Sequence, residues 1–175
     1  MSSLQALRSQ KRIRILDLDP KRADSLKHVV EKKLRFLPHL DLSTAKGLED
    51  PTILPCDLVV VFCWNLEEDE FLKWLSSFES RWLRQNSVWV PALIVSRAEL
   101  NVFSELLERA MQSNWHFDVI HPDHLSSLPI RIANLLRIHD HLHELLRYEK
   151  ELKSLQEQVN TLEQGLESIR LKQGF

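Results

Sequence analysis

The sequence predicts an α/β fold in which a doubly wound, five-stranded parallel sheet is followed by one long helix. Three observations predict it. Apolar runs of strand length alternate with segments whose apolar residues recur at helical spacing, which is typical of a parallel sheet covered on both faces. The order along the chain is β-α-β-loop-β-α-β-α-β-α. The final helical segment carries an apolar heptad pattern, which predicts that the last helix extends into a coiled coil.

Five segments have the composition of β-strands. They are residues 12–18, a short stretch around Leu40, and residues 57–64, 88–95 and 117–120. The run DLVVVFCW at 57–64 is continuous and apolar, as in a central strand with both faces buried. An open sheet of five parallel strands with right-handed crossovers is the flavodoxin-like arrangement.

Helices are predicted between these strands. Apolar residues recur every three or four positions over residues 21–34, 66–84 and 98–111. Residues 47–55 contain two prolines and are predicted to form a loop. From Ser127 to Gly174 nothing interrupts the helical pattern. We therefore expect a tail at 1–11, an α/β domain at 12–137 and a coiled-coil helix at 138–175.

Composition excludes several classes of function. The net charge of −2 offers no basic excess for binding nucleic acid. The apolar run at 58–64 is far shorter than the ~20 residues that span a bilayer, and the first residues lack the apolar segment of a signal peptide. Two cysteines are too few for a disulfide framework, and three glycines argue against a phosphate-binding loop. We expect a soluble cytoplasmic protein with no nucleic-acid or membrane partner.

Polar side chains stand at the ends of three predicted strands. Asp17 and Asp19 end the first strand, Ser96 ends the fourth, and His121 with Pro122 ends the fifth. In these positions the chain resembles the receiver domain of bacterial two-component response regulators over roughly residues 12–140. That family holds magnesium with an acidic pair, accepts a phosphoryl group on an aspartate after the third strand, and clamps the phosphate with a lysine.

The resemblance implies that the phosphorylation site is degenerate. Asp17 occupies the first acidic position, Leu18 replaces the second, and Asp19 follows one place later. The acceptor position, five residues beyond Asp57, is occupied by Phe62. A phenyl ring cannot accept a phosphoryl group, so we expect no phosphorylation there.

The last two positions of the receiver pattern are only partly kept. Ser96 matches the switch serine or threonine, whereas His121 replaces the phosphate-clamping lysine. A largely neutral imidazole is a poor substitute for an ammonium group. The resemblance therefore implies a pseudo-receiver with no catalytic residue, and we expect no metal and no cofactor.

The heptad pattern near the end of the chain defines a narrow apolar seam. Apolar residues from Leu152 to Ile169 fall at alternating intervals of three and four, the a and d positions of a coiled coil. Extended backward, the seam consists of Ile138, Leu145, Leu152, Leu155, Val159, Leu162, Leu166 and Ile169. Such a stripe on a long helix requires a partner, and a second helix suits it better than folding back onto its own domain.

The residues beside the seam bear on which helix that partner is. In a parallel homodimer, the g-to-e′ pairs would be Glu144–Glu149, Glu151–Gln156 and Gln158–Glu163. One pair repels and none attracts. Surface pairs contribute only tenths of a kcal/mol, so the seam still favours a homodimer. A basic heterologous helix and either helix orientation stay open.

The leading hypothesis is a non-enzymatic signalling module, a pseudo-receiver that acts without phosphorylation and dimerises through its coiled coil. The resemblance implies that a protein partner binds the domain along residues 96–107 and 130–137. One alternative is the N-terminal regulatory part of a larger protein, a cyclic-dinucleotide synthase or a transcriptional activator. Another is a receiver that still binds a divalent metal or accepts phosphate.

Overall fold

The computed structural model describes most of the chain. The described residues are 10–17, 20–35, 40–45, 56–64, 73, 76, 90–97, 103, 104, 107, 108, 111, 112 and 115–172. The predicted loop at 47–55 and residues 1–9 of the predicted tail lie outside them, as does the candidate site residue Asp19.

Five strands form the sheet. They are β1 (Lys11–Asp17), β2 (Leu40–Ala45), β3 (Leu58–Cys63), β4 (Ala92–Ser96) and β5 (Phe117–Ile120). The prediction started β4 at residue 88, but Val90 and Pro91 precede the strand. Proline has no N–H for the ladder, although the Pro91 carbonyl accepts a hydrogen bond from the Val59 N–H at 3.1 Å.

All four strand pairings are parallel, and the spatial order is β2-β1-β3-β4-β5. This order is the flavodoxin-like arrangement, so the predicted fold class is confirmed. Every residue of β3 and β4 is buried. Both strands are apolar on both faces because both faces are covered, which explains their continuous rather than alternating apolar sequences.

Helix α1 (Pro20–Lys33) follows β1, with its proline at the first helical position, where a missing N–H costs nothing. Lys73 and Ser76 are helical, as the prediction for 66–84 requires, and so are six described residues between 103 and 112. The rest of these two predicted helices lies outside the described residues. After β5, a 3-10 helix at Pro122–Ser127 leads into the long helix α2 (Leu128–Lys172).

The apolar core lies between the sheet, α1 and the first turns of α2. Successive side chains of a strand point to opposite faces, so alternate residues of β1, β3 and β4 reach this layer. Its members are Ile13, Ile15, Leu26, Val30, Leu34, Leu58, Val60, Phe62, Leu93, Val95, Ile120, Leu128, Ile132, Leu135 and Leu136. Burial of each large apolar side chain stabilises the fold by about 1.5–3 kcal/mol.

Two charged clusters fix the first turns of α2 to the sheet. Lys11, at the start of β1, forms an ion pair with Asp140. Arg131 donates from Nη1 to the Asp118 carboxylate at 2.5 Å and to the Val119 carbonyl at 3.4 Å. The Arg131 Nε also donates to the Ser127 hydroxyl at 3.2 Å. These bonds join β1, β5 and the 3-10 helix to α2.

Helix α2 belongs to two compact units of the chain, Met1–Asp140 and His141–Phe175. The predicted boundary at residue 137 lies three residues before the observed one. The helix has 45 residues, which gives a length of roughly 67 Å at 1.5 Å per residue. In the part of the chain that the structure describes, no helix combines the length and the apolar character needed to cross a bilayer.

Candidate functional site

The carboxyl ends of the parallel strands bring three of the predicted site residues to one edge of the sheet. Asp17 is in register with Phe62, the last residue but one of β3. Ser96, which ends β4, is in register with Cys63. Asp17, Phe62 and Ser96 are all buried. This edge is where ligands bind in open α/β sheets, but here its described side chains are packed rather than open.

Phe62 is part of the apolar core. Its side chain is 1% exposed and packs within the layer that α1 and α2 cover. The ring stacks on the indole of Trp64, with the two ring centres 5.6 Å apart and the planes 15° from parallel. Position 62 is therefore filled by an aromatic pair, which contributes about 0.5–1.5 kcal/mol beyond its burial.

Asp17 is the buried charge of this edge. Its side chain is fully buried, and Arg22 of α1 places Nη2 3.4 Å from the Asp17 Oδ1. A buried carboxylate needs a cation or hydrogen-bond donors to offset the loss of water. Within the described residues, the Arg22 guanidinium supplies a positive charge where the receiver pattern would place a metal ion.

Replacing Arg22 with alanine should lower the free energy of unfolding by about 1–3 kcal/mol, since Asp17 would lose its cation while staying buried. Urea unfolding of the two proteins at pH 7 measures this. Arg35→Ala, at an exposed position just after α1, is the control and should change stability by less than about 0.5 kcal/mol. If Arg22→Ala matches the control, the pair does not stabilise the fold.

Cys63 and Ser96 lie in register at the ends of β3 and β4. The Cys63 thiol donates to the Val95 carbonyl at 3.4 Å. Burial raises the pKa of Cys63 to about 12, and a hydrogen bond with Ser96 offsets only part of this rise. Burial likewise raises the pKa of Cys56 to about 12. Because the thiolate is the reactive form, these raised pKa values lower the reactivity of both thiols near neutral pH.

His121 is separated from the buried part of this edge. It caps the 3-10 helix, where its Nδ1 accepts a hydrogen bond from the Asp123 N–H at 3.3 Å. The side chain is 44% exposed. Among the described residues, no three His, Cys, Asp or Glu side chains are grouped so that they could hold a metal ion. The structure therefore brings Asp17 beside Phe62 and places Ser96 beside Cys63 at the same end of the sheet, with His121 at the surface.

A second candidate site is the seam on α2. Ile138 is half-buried in the first unit. From Leu145 onward, each a and d position is exposed, between 46% and 68% of its surface. These residues are Leu145, Tyr148, Leu152, Leu155, Val159, Leu162, Leu166 and Ile169. They form a continuous apolar stripe on the second unit, which we call the α2 seam.

Sequence reasoning missed the two residues that complete the buried site. Arg22 follows Asp17 by five positions, in the first turn of α1, and the signal available was the basic pair Lys21-Arg22 after an acidic strand end. Trp64 was visible as an aromatic residue two places after Phe62. Side chains two apart on a strand share a face, which is the geometry that permits their rings to stack.

Comparisons of the chain with models of protein families, with curated proteins and with solved structures found no match. The functional interpretation therefore depends on the fold and on the geometry of these two sites.

Proposed function

We propose that this protein is a non-enzymatic signalling module, a pseudo-receiver that acts without phosphorylation and dimerises through the α2 seam. One observation carries the proposal: all eight a and d positions from Leu145 to Ile169 are apolar and exposed. Monomeric proteins rarely expose a continuous apolar surface of this size. The seam instead has the width and spacing that fit a second helix.

The area of the seam supports a stable dimer. For side chains of this size, exposure between 46% and 68% amounts to something on the order of 800 Å² per chain, close to one partner's share of a standard protein interface. Surface salt bridges contribute less than about 1 kcal/mol, so the missing attraction between flanking charges does not outweigh the seam. A second copy of the chain presents the same stripe and is the partner we propose.

The geometry of the sheet edge supports independence from phosphorylation. Phe62 fills the acceptor position from within the core, and Arg22 provides the charge that a metal ion would bring to Asp17. The thiol of Cys63, the residue after Phe62, is protonated because burial raises its pKa. The α/β unit would then serve as a fixed scaffold in the cytoplasm.

A protein partner would bind this scaffold along residues 96–107 and 130–137, the surface that the receiver resemblance indicates. Leu107 is 55% exposed and Ile130 is 64% exposed. Exposed apolar side chains of this kind are suited to anchoring a protein interface. No nucleic acid, membrane or cofactor has a place in this proposal.

Light scattering on the full chain tests the proposal. We expect twice the 20.6 kDa chain mass, unchanged by acetyl phosphate and Mg²⁺. Mass spectrometry of the same samples should show no phosphoryl adduct, which would add about 80 Da. A monomer at micromolar concentration contradicts dimerisation. A stoichiometric adduct, or a mass that changes with the phosphodonor, contradicts independence from phosphorylation.

A further inference from the structure

The a and d residues of the α2 seam differ in type along the helix. Their types bear on whether two copies of α2 would pair in parallel or antiparallel orientation. In a parallel dimer, each residue meets its own copy; in an antiparallel dimer, a residues meet d residues. β-Branched residues at a with leucine at d favour parallel two-stranded coils. Here the exposed a positions are Leu145, Leu152, Val159 and Leu166, so only one is β-branched.

The polar d residues at the N-terminal end of the heptad pattern also disfavour a parallel arrangement. His141 occupies a d position and is exposed. A parallel coil continued to this layer would place two imidazoles against each other, and the next d layer would place Tyr148 against its own copy. Burying the polar atoms of these side chains costs free energy unless each of them is hydrogen-bonded.

An antiparallel arrangement centred near Glu157 pairs the seam differently. Its layers match Leu145 with Ile169, Tyr148 with Leu166, Leu152 with Leu162, and Leu155 with Val159 of the second copy. Each layer then contains two apolar or aromatic residues, which differ in type in every layer except that of Leu152 and Leu162, and His141 falls outside the paired region. All eight of these residues are exposed on the single chain and are available to pair.

We propose that two copies of this chain associate through the α2 seam in antiparallel orientation, with the two-fold axis near Glu157. This inference rests on the proposed dimerisation. It places Leu152 of one copy beside Leu162 of the other. A parallel coil would instead place these two positions about 15 Å apart along the axis, at 1.5 Å per residue.

Disulfide formation between single-cysteine variants tests the orientation. Leu152→Cys and Leu162→Cys are prepared separately, mixed, unfolded, refolded together and oxidised under mild conditions. We expect a disulfide joining the two different variants in the mixture and little in either variant alone. Glu157→Cys is the matched control, since its outer heptad position keeps the thiols apart in either orientation. The two natural cysteines are buried, and peptide mass mapping distinguishes them from the introduced ones.

The outcomes separate orientation from dimerisation. A dimer in which each variant links to itself, with no preference for the mixed disulfide, overturns the antiparallel arrangement while leaving dimerisation intact. A monomer by light scattering with no disulfide in any sample overturns both. The mixed disulfide in a dimeric sample supports both.

A charge change provides an independent measurement without altering the seam. In the antiparallel arrangement, Glu163 faces Glu149 of the second copy, so Glu163→Lys should lower the dimer Kd about fivefold. In a parallel coil, the same position faces Gln158, and little change is expected. Glu167→Lys serves as the control. It likewise replaces the repulsion between Glu163 and Glu167 within one helix by an attraction, but position 167 does not face the partner. Equal effects of the two variants on Kd count against the antiparallel arrangement.

Discussion

Replacing Phe62 with alanine should lower the free energy of unfolding by about 3–5 kcal/mol, the range for removing a large buried aromatic side chain. The ring is 1% exposed, lies in the main core and stacks on Trp64, so its loss leaves a cavity between the sheet and the helices. Urea unfolding measures the change. Leu107→Ala removes a side chain that is 55% exposed and should cost less than about 1 kcal/mol.

Phe62→Asp is the more demanding variant because it introduces a carboxylate at this buried position, the residue type that the proposed receiver resemblance would require. The carboxylate would be buried among apolar side chains and beside Asp17, with which it is in register. We expect a greater loss of stability than for alanine, and no phosphorylation by acetyl phosphate. A variant that stays as stable as the natural protein, or that gains a phosphoryl adduct, would show that position 62 is open to a charged ligand.

Placing glutamate at Leu155 and Leu162 together should raise the dimer Kd by about 1,000-fold or more. Both residues are d positions of the α2 seam and are 57% and 68% exposed. Each substitution removes about 1.5–3 kcal/mol of apolar burial in each of the two helices and adds a charge to the interface, while 1.4 kcal/mol corresponds to a tenfold change. Sedimentation equilibrium over a range of concentrations measures the constant.

The matched control adds the same charge one position away. Ser154→Glu with Thr161→Glu places two glutamates one heptad apart at c positions, outside the seam. This double variant should keep its dimer, with a Kd within a few-fold of the natural protein. Equal loss of the dimer in both double variants would mean that net charge, rather than the seam, controls association.

Much of the fold was predictable because two of its strands, β3 and β4, are buried on both faces and almost entirely apolar. The central strands are identifiable from unbroken runs such as LVVVFC in β3, where no polar residue interrupts the pattern. The edge strand β2 (LDLSTA) has weaker signals, since a strand with a neighbour on only one side tolerates polar residues. The 3-10 helix before α2 was not predicted, because six residues are too few to show a helical period.

The candidate site was predictable only in part. Parallel strand ends meet at one edge, which places Asp17 beside Phe62 and Ser96 beside Cys63. The pairing of Asp17 with Arg22 depends on the rotation of α1 relative to the strand before it, and sequence spacing does not determine that rotation. His121 directly follows β5, but Pro122 begins the 3-10 helix, and the half-exposed imidazole caps that helix.

The ion pair between Asp17 and Arg22 bears on whether the charge beside Asp17 depends on free cations in solution. A metal ion arrives and leaves by diffusion, so its occupancy follows its concentration. A guanidinium attached to the same chain is present at an effective concentration set by covalent structure alone. Under the proposed function, the carboxylate would keep this cation beside it whatever the concentration of free metal ions. If the chain dimerises as proposed, its own concentration, which sets the fraction of dimer, is the quantity that controls the module.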